Sequence, residues 1–404
     1  MNAPLSKKLN EVKWGEFKIT DIFDVKNTHN ILSNEIVEKS GNVPYLCASA
    51  EKNGVSTYIS YNDDLIDKGN CIFIGGKTFV VTYQENDFFS NDSHNLALYL
   101  KFSEKRKKDV QIFIASCITR SVGYKYSWGN SISHKKIQND YVSLPITPEN
   151  KIDFDFMEAF IRELEEERIR ELAAYLKVSG FDNYKLSKCE SEALAHFNEL
   201  KWKEFRIGDL YNKIELHNLN FNKKKDTSSE KSEKYTLPIV NAKHGENGIM
   251  FYGDKNIFDS EEMTIDIVQN GAVATGDVYP QPQRTGVLWD AYLIKSIKHK
   301  DSRESLFYFT ATIQKSIKQK FCYEFKATWE RVKEEMIFLP VTSDDSPDYA
   351  FMETFISAVQ KLVIKDVVLY ADKKIAATKQ AVHKNPSDYK TPEGFGALKV
   401  AEHN

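Results

Sequence analysis

"NEVKWGEFKITDIF" (residues 10–23) and "NELKWKEFRIGDLY" (198–211) are two versions of one segment, 188 positions apart. Asn10, Glu11, Lys13, Trp14, Glu16, Phe17, Ile19 and Asp21 recur as Asn198, Glu199, Lys201, Trp202, Glu204, Phe205, Ile207 and Asp209. Lys18, Ile22 and Phe23 have the conservative counterparts Arg206, Leu210 and Tyr211. Further echoes follow in the same order. "VPYLCASAEKNGVSTYI" (43–59) parallels "LPIVNAKHGENGIMFYG" (237–253), aligning Pro44 with Pro238, Asn53-Gly54 with Asn247-Gly248, and Tyr58 with Tyr252. "VSLPIT" (142–147) parallels "IFLPVT" (337–342), and "DFDFMEAFI" (153–161) shares six of nine residues with "DYAFMETFI" (348–356). The offset drifts only from 188 to 195, as small loop insertions would make it. The chain is an internal duplication with a period far longer than a solenoid repeat.

Each half reads alike. A lobe comes first, made of β-branched and aromatic runs bounded by turn residues: 70–84 and 95–102 in one half, 262–276 and 286–297 in the other. Such runs read as strands. A short helix is expected in each lobe, near 105–119 and 302–319. A long helix follows each lobe, at 156–177 and 351–375. Asp153 and Asp348 stand where an N-cap belongs. Met157, Phe160, Ile161, Leu164 and Leu172 recur at three- and four-residue steps, as do Met352, Phe355, Ile356, Val359 and Val363. One apolar stripe per helix predicts a helix–helix seam. The fold class expected is α+β: two β-rich lobes separated by an antiparallel two-helix coiled coil, related by a pseudo-twofold. The predicted boundaries are 1–150 and 198–345 for the lobes, 151–197 for the central helix and linker, 346–383 for the C-terminal helix, and 384–404 for a tail.

The bulk numbers set limits. A chain of 404 residues exceeds one ordinary core. No apolar run of about 18 residues exists, so no spanning helix and no membrane partner are expected. Five scattered cysteines without a C-x-x-C argue against a disulfide framework or zinc site and for a cytoplasmic location. The net charge of −3 does not exclude nucleic acid, because a binder needs a basic surface and not a basic total.

No catalytic constellation emerges. "NVPY" (42–45) lacks the consecutive prolines of the N-P-P-Y methyltransferase signature and opens a repeated strand. "GNCIFIGG" (69–76) lacks the spacing of a dinucleotide loop. "PENKID" (148–153) reads as the loop entering a helix, and "ELEEER" (163–168) as a solvated helix face. The nine histidines show no metal-ligand spacing. No catalytic residue and no metal ligand is assigned.

The two W-x-E-F-[KR]-I-x-D-[IL]-[FY] blocks, the LP[IV]T and FMExFI transitions and the paired lobe-plus-helix halves resemble the specificity (S) subunit of Type I restriction–modification systems, including the related Type IIB subunits. The resemblance covers essentially the whole chain. It implies that each lobe is a target recognition domain for one half of an asymmetric bipartite DNA site. It also implies that the helices set the gap and dock adenine methyltransferase subunits, two by the symmetry, with a restriction subunit joining in Type I systems. Cofactors are then absent from this chain: S-adenosylmethionine, with ATP and Mg, belongs to partner subunits. A helix of about 24 residues rises about 36 Å, close to one turn of B-DNA, the usual spacing of half-sites.

Both lobes carry cations and aromatics shortly before the LP[IV]T block. The candidates for contact with double-stranded DNA there are Arg120, Lys125, Tyr126, Asn130, His134, Lys135 and Lys136 in the first lobe, and Lys320, Lys326 and Arg331 in the second. Turn-borne candidates are Lys52, Asn53, Lys77, His94, Lys243, His244, Asn247 and Arg284. Cations neutralise phosphates, and Asn, His and Arg can reach base edges. The alternative is a two-lobed protein-interaction scaffold without nucleic-acid binding.

Overall fold

The computed structural model describes residues 3–384. The described chain divides into two compact units, one of residues up to 175 with those from 371 onward, the other of residues 176–370.

The first unit begins with helix α1 (Ala3–Glu11). The repeated Trp segment becomes β1 (Lys13–Lys18), a one-turn α2 (Ile19–Ile22) and β2 (Phe23–Asn27). Then come β3 (Val43–Leu46), β4 (Val55–Ile59), β5 (Cys71–Ile74), β6 (Val81–Gln84), β7 (Phe89–Ser90), β8 (Leu96–Leu100), α3 (Lys108–Val122), α4 (His134–Ile137), β9 (Tyr141–Ile146) and α5 (Phe154–Val178). A four-stranded sheet runs β2-β8-β5-β6, and a three-stranded one β4-β3-β7. The four residues of β5 are all buried, so the strand reads as a continuous apolar run. The amphipathic α3 covers the sheet with Val110, Ile114 and Ile118 in a core shared with Ile72, Leu98 and Leu144.

The second unit repeats this order: α6 (Lys188–Ala195), β10 (Trp202–Arg206), α7 (Ile207–Leu210), β11 (Tyr211–Lys213), α8 (Lys223–Asp226), β12 (Thr227–Ser228), β13 (Leu237–Val240), β14 (Ile249–Gly253), β15 (Thr264–Val268), β16 (Val278–Gln281), β17 (Gly286–Val287), β18 (Ala291–Ser296), α9 (Arg303–Ile317), α10 (Trp329–Val332), β19 (Met336–Pro340) and α11 (Tyr349–Lys384). Its sheets run β11-β18-β15-β16 and β12-β14-β13-β17. Apart from α8 and the added edge strand β12, the topology is that of the first lobe.

The repeated blocks are the paired ones. β1 lies antiparallel to β9 with Trp14 opposite Pro145, and β10 to β19 with Trp202 opposite Pro340. Pro44 faces Tyr58 and Pro238 faces Tyr252, each just before a bulge. Duplicated sequence thus marks where each lobe closes. Asp153 and Asp348 cap their helices as expected: each Oδ1 accepts a hydrogen bond at 2.9 Å, from the amide of Phe156 and of Phe351 respectively.

Three expectations need correction. Segments 70–84 and 262–276 are only partly strand: the first is split by a loop at 75–80, and the second is strand over 264–268 alone. The C-terminal helix is longer than predicted and runs to residue 384. Most of the proposed seam has another partner. Met157, Phe160, Ile161 and Leu164 pack into the first lobe's own core, and Met352, Phe355 and Ile356 into the second lobe's. Val363 is 74% exposed, while Leu172 and Val359 are half-buried. A stripe at helical period says that one face is covered, not by what. Here the first turns of each helix run across the lobe that precedes them. Within the first unit an ion pair of Glu165 with Lys374 ties α5 to the end of α11. The predicted tail lies, from residue 385 on, outside the described residues.

Each unit also seats its leading helix on its long helix. Lys8 of α1 pairs with Glu163 of α5. In the second unit the polarity is reversed: Glu190 of α6 meets Lys361 of α11.

Candidate nucleic-acid interface

In each lobe, loops between strands gather at one end and are stitched together by hydrogen bonds. In the first lobe the hub is the β5–β6 loop. Thr78 Oγ1 donates to Ala48 O at 2.8 Å, Gly76 N to Asn95 Oδ1 at 2.9 Å, and Ile132 N to Gly76 O at 3.1 Å. Phe79 stacks on Tyr126 with ring centroids 5.1 Å apart. Residue 76 must be glycine, because a Cβ there would lie 2.5 Å from His94 O. Loops 47–54, 75–80, 91–95 and 123–133 therefore form one surface.

The second lobe assembles the corresponding loops. Gln269 Nε2 donates to Trp289 O at 2.8 Å, Ala327 N to Gln269 O at 3.1 Å, and Asp290 N to Asn241 Oδ1 at 3.0 Å. Lys318 Nζ donates to Val273 O at 2.8 Å. Loops 241–248, 269–277, 288–290 and 318–328 meet there.

The candidates divide by what they touch. Lys52, Arg120, Lys135 and Lys326 are exposed and Lys243 is half-buried; none has an acidic partner among the described residues, which leaves them available to phosphates. His134 is exposed at the start of α4, near Gln138. Exposed aromatics accompany them: Tyr124 and Trp128 at 81% and 77%, Tyr323 and Phe325 at 63% and 47%. Aromatic faces beside free cations suit nucleic acid.

Other candidates serve the loops themselves. Asn53 and Asn247 occupy the left-handed region at φ 56° and 52°. Their amides donate to Tyr83 O at 2.9 Å and Pro280 O at 3.0 Å, while Gln84 and Gln281 return a bond to each asparagine's carbonyl. These bonds make both asparagines staples of their turns. Lys125 and Tyr126 are engaged by Asp140, and burial together with that carboxylate pushes the Tyr126 hydroxyl upward. Lys136 holds Asn130 Oδ1 and Ser131 O, and Lys320 pairs with Glu335. Arg331 lies over the Phe325 ring at 4.1 Å. Arg284 is on a different loop, bound to Ser260 O at 2.7 Å, and lines a groove of about 900 Å³ with His217, Lys231 and Lys255.

Residues missed from sequence are acidic. Asp92 holds Lys77 and His94, and Asp277 holds His244 and Lys318. The D-x-H in "NDSHN" (91–95) was the available signal.

Two lobes of one topology, each presenting a cationic and aromatic loop end and each followed by a long helix, define a doubled nucleic-acid-recognition protein. The chain belongs to the family described as Type I restriction modification DNA specificity domain, whose model matches it twice, at residues 11–174 and 199–369. It is similar to the specificity subunit S.BcgI of a Type II restriction enzyme from Heyndrickxia coagulans, 22% identical over 360 residues that make up 88% of this chain and 97% of that one. Its fold is shared with the S subunit of a Type-I restriction-modification system from M. genitalium, at 14% identity and a TM-score of 0.54 over 93% of this chain and 95% of that one. The role of the chain is DNA sequence specificity in restriction–modification. No described helix is long and apolar enough to cross a membrane.

Proposed function

We propose that each lobe reads one half of an asymmetric bipartite duplex site, and that the helices set the gap and dock adenine-N6 methyltransferase subunits, two in all. In this reading the chain carries no catalytic group. S-adenosylmethionine binds the methyltransferase subunits, a restriction subunit brings ATP and Mg, and the complex works in the cytoplasm. The observation that carries the reading is one scaffold present twice with unlike residues on the corresponding loop ends. Like scaffolds fix where two half-sites are read, and unlike loops make them differ.

Docking of a protein subunit is supported by α11. Val363 and Val367, one turn apart on α11, form with Leu362 beside them an apolar face that is 38% to 74% exposed. Such a face marks an interaction surface.

The test is the map of methylated adenines in cells with and without the gene. Loss of one bipartite methylated motif supports the reading, and an unchanged map rejects it. Binding to that motif weakens steeply with salt if free lysines contact phosphates.

A further inference from the structure

Each loop end contains one recessed carboxylate with a histidine and a lysine bound to it. In the first lobe Asp92 Oδ1 receives His94 Nδ1 at 2.8 Å, and Oδ2 receives Lys77 Nζ at 2.9 Å. In the second lobe Asp277 Oδ2 receives His244 Nδ1 at 2.8 Å, and Oδ1 receives Lys318 Nζ at 2.6 Å. The aspartates are 18% and 4% exposed, whereas the imidazoles stand 65% and 64% exposed. Burial opposes ionisation of both carboxyls, but the bonds from histidine and lysine outweigh it. Asp92 is held at about 2 and Asp277 below the usual carboxylate range, so both stay charged.

These two clusters are not copies of each other. Asp92 precedes β8, and Asp277 precedes β16. Lys77 lies in the β5–β6 loop, whereas Lys318 follows α9. His94 follows β7, and His244 follows β13. Two lobes of one scaffold present the same three groups from unrelated positions. Duplication alone does not account for that outcome, and a shared task would.

The chemistry of the task follows from which atoms remain. Nδ1 of each histidine is engaged by the carboxylate, so Nε2 is the atom left for a partner. In the doubly protonated ring, with Nδ1–H given to the carboxylate, Nε2–H is a second donor directed outward. Lys318 is already saturated, giving further bonds to Val273 O at 2.8 Å and Thr275 O at 3.2 Å. Its task is to balance Asp277. The histidine is therefore the group common to both lobes that projects outward. A single donor fixed in direction matches an acceptor at the edge of a base. In the major groove the purine N7 is the acceptor that every purine presents.

We propose that His94 and His244 are the specificity-determining donors of the two lobes, each reading a purine through its N7, with Asp92 and Asp277 as the positioning residues. The inference rests on the bipartite reading above. The test uses the full chain with its co-purified partners and duplexes carrying the methylated motif. Each purine in turn is replaced by its 7-deaza analogue. The expected result is one purine per half-site whose replacement weakens binding about tenfold, the effect of losing one charge-assisted hydrogen bond. His94→Gln abolishes that penalty in the first half-site only, and His244→Gln in the second only. Asp92→Asn and Asp277→Asn reduce the same penalties while thermal stability is followed separately. A uniform loss of affinity with the 7-deaza penalty intact makes the histidines phosphate contacts and overturns the inference. Unchanged binding by the histidine variants overturns it too. Absence of any bipartite motif for the unmodified chain removes the underlying reading, and the inference with it.

Discussion

Lys361 Nζ lies 2.9 Å from Glu190 Oε2, and Ser357 Oγ donates to the other oxygen at 2.6 Å. The carboxylate also closes the capping box of α6 with Ser187. Burial works against the charge on Glu190, but the bonds from Ser357, Lys361 and Ser187 prevail and hold it at about 2. The folded value is depressed, so the stabilisation is present above the ordinary glutamate range and is lost as pH falls toward 2. Glu190→Gln leaves Lys361 without its counter-charge. It is expected to cost about 2–4 kcal/mol at neutral pH and to flatten the acid limb of the stability curve. Thermal melts of both proteins from pH 7 down to pH 3 check this; a parallel acid limb in the variant would reject it.

Asp266 occupies the register position on β15 that Phe73 occupies on β5: Asp266 faces Leu293 and Tyr279, as Phe73 faces Ala97 and Thr82. It is fully buried, and neither carboxyl oxygen has a hydrogen-bond partner. Burial first, and the charge of Asp277 second, push its carboxyl well above the usual range. Its contribution to stability is therefore complete below the ordinary aspartate value and is lost as pH rises through the folded one. Asp266→Asn, similar in volume, is expected to raise the melting temperature more at pH 8 than at pH 4. An equal shift at both pH values would contradict the buried-acid account.

Asn53 and Asn247 predict a stability phenotype without a specificity phenotype. Alanine at either site removes the amide bond to the neighbouring strand and strains a left-handed residue. The expected cost is about 1–2 kcal/mol each. Glycine relieves the strain and restores part of it. The methylated motif should stay the same in all four variants; a relaxed base at either half-site would show that the asparagines read DNA after all.

The exposed face of α11 separates assembly from folding. Val363→Glu with Val367→Glu changes no buried group, so the melting temperature of the isolated chain is expected to hold within about a degree. Co-purification of the methyltransferase subunit should be lost. Retained co-purification would place the docking surface elsewhere.

The duplication was legible because it is written at the points of strand closure: Trp14 against Pro145 and Trp202 against Pro340 recur with their neighbours, as do the caps Asp153 and Asp348. Helix starts and turn pairs follow from local chemistry, which a sequence displays directly. The destination of an apolar stripe does not. Met157 and Met352 look like seam residues because periodicity reports a covered face without its cover. The loop ends were partly legible as cations and aromatics. Which of those cations are already spent was not, since Asp140, Glu335 and Asp92 reach them only through the fold. Asp266 shows the converse case: within a strand of apolar residues nothing in the local pattern says that the carboxylate has no partner.

The β1–β9 and β10–β19 ladders carry a consequence for how such a molecule can change. Each sets the chain's point of entry to a lobe beside its point of exit, so the intervening residues form a cartridge clipped at one seam. Exchange of one cartridge by recombination within the short duplicated ends would leave the long helices and the other lobe as they were. If each lobe reads its own half-site, as proposed above, a new target would then arise in a single event rather than by gradual retuning of every loop.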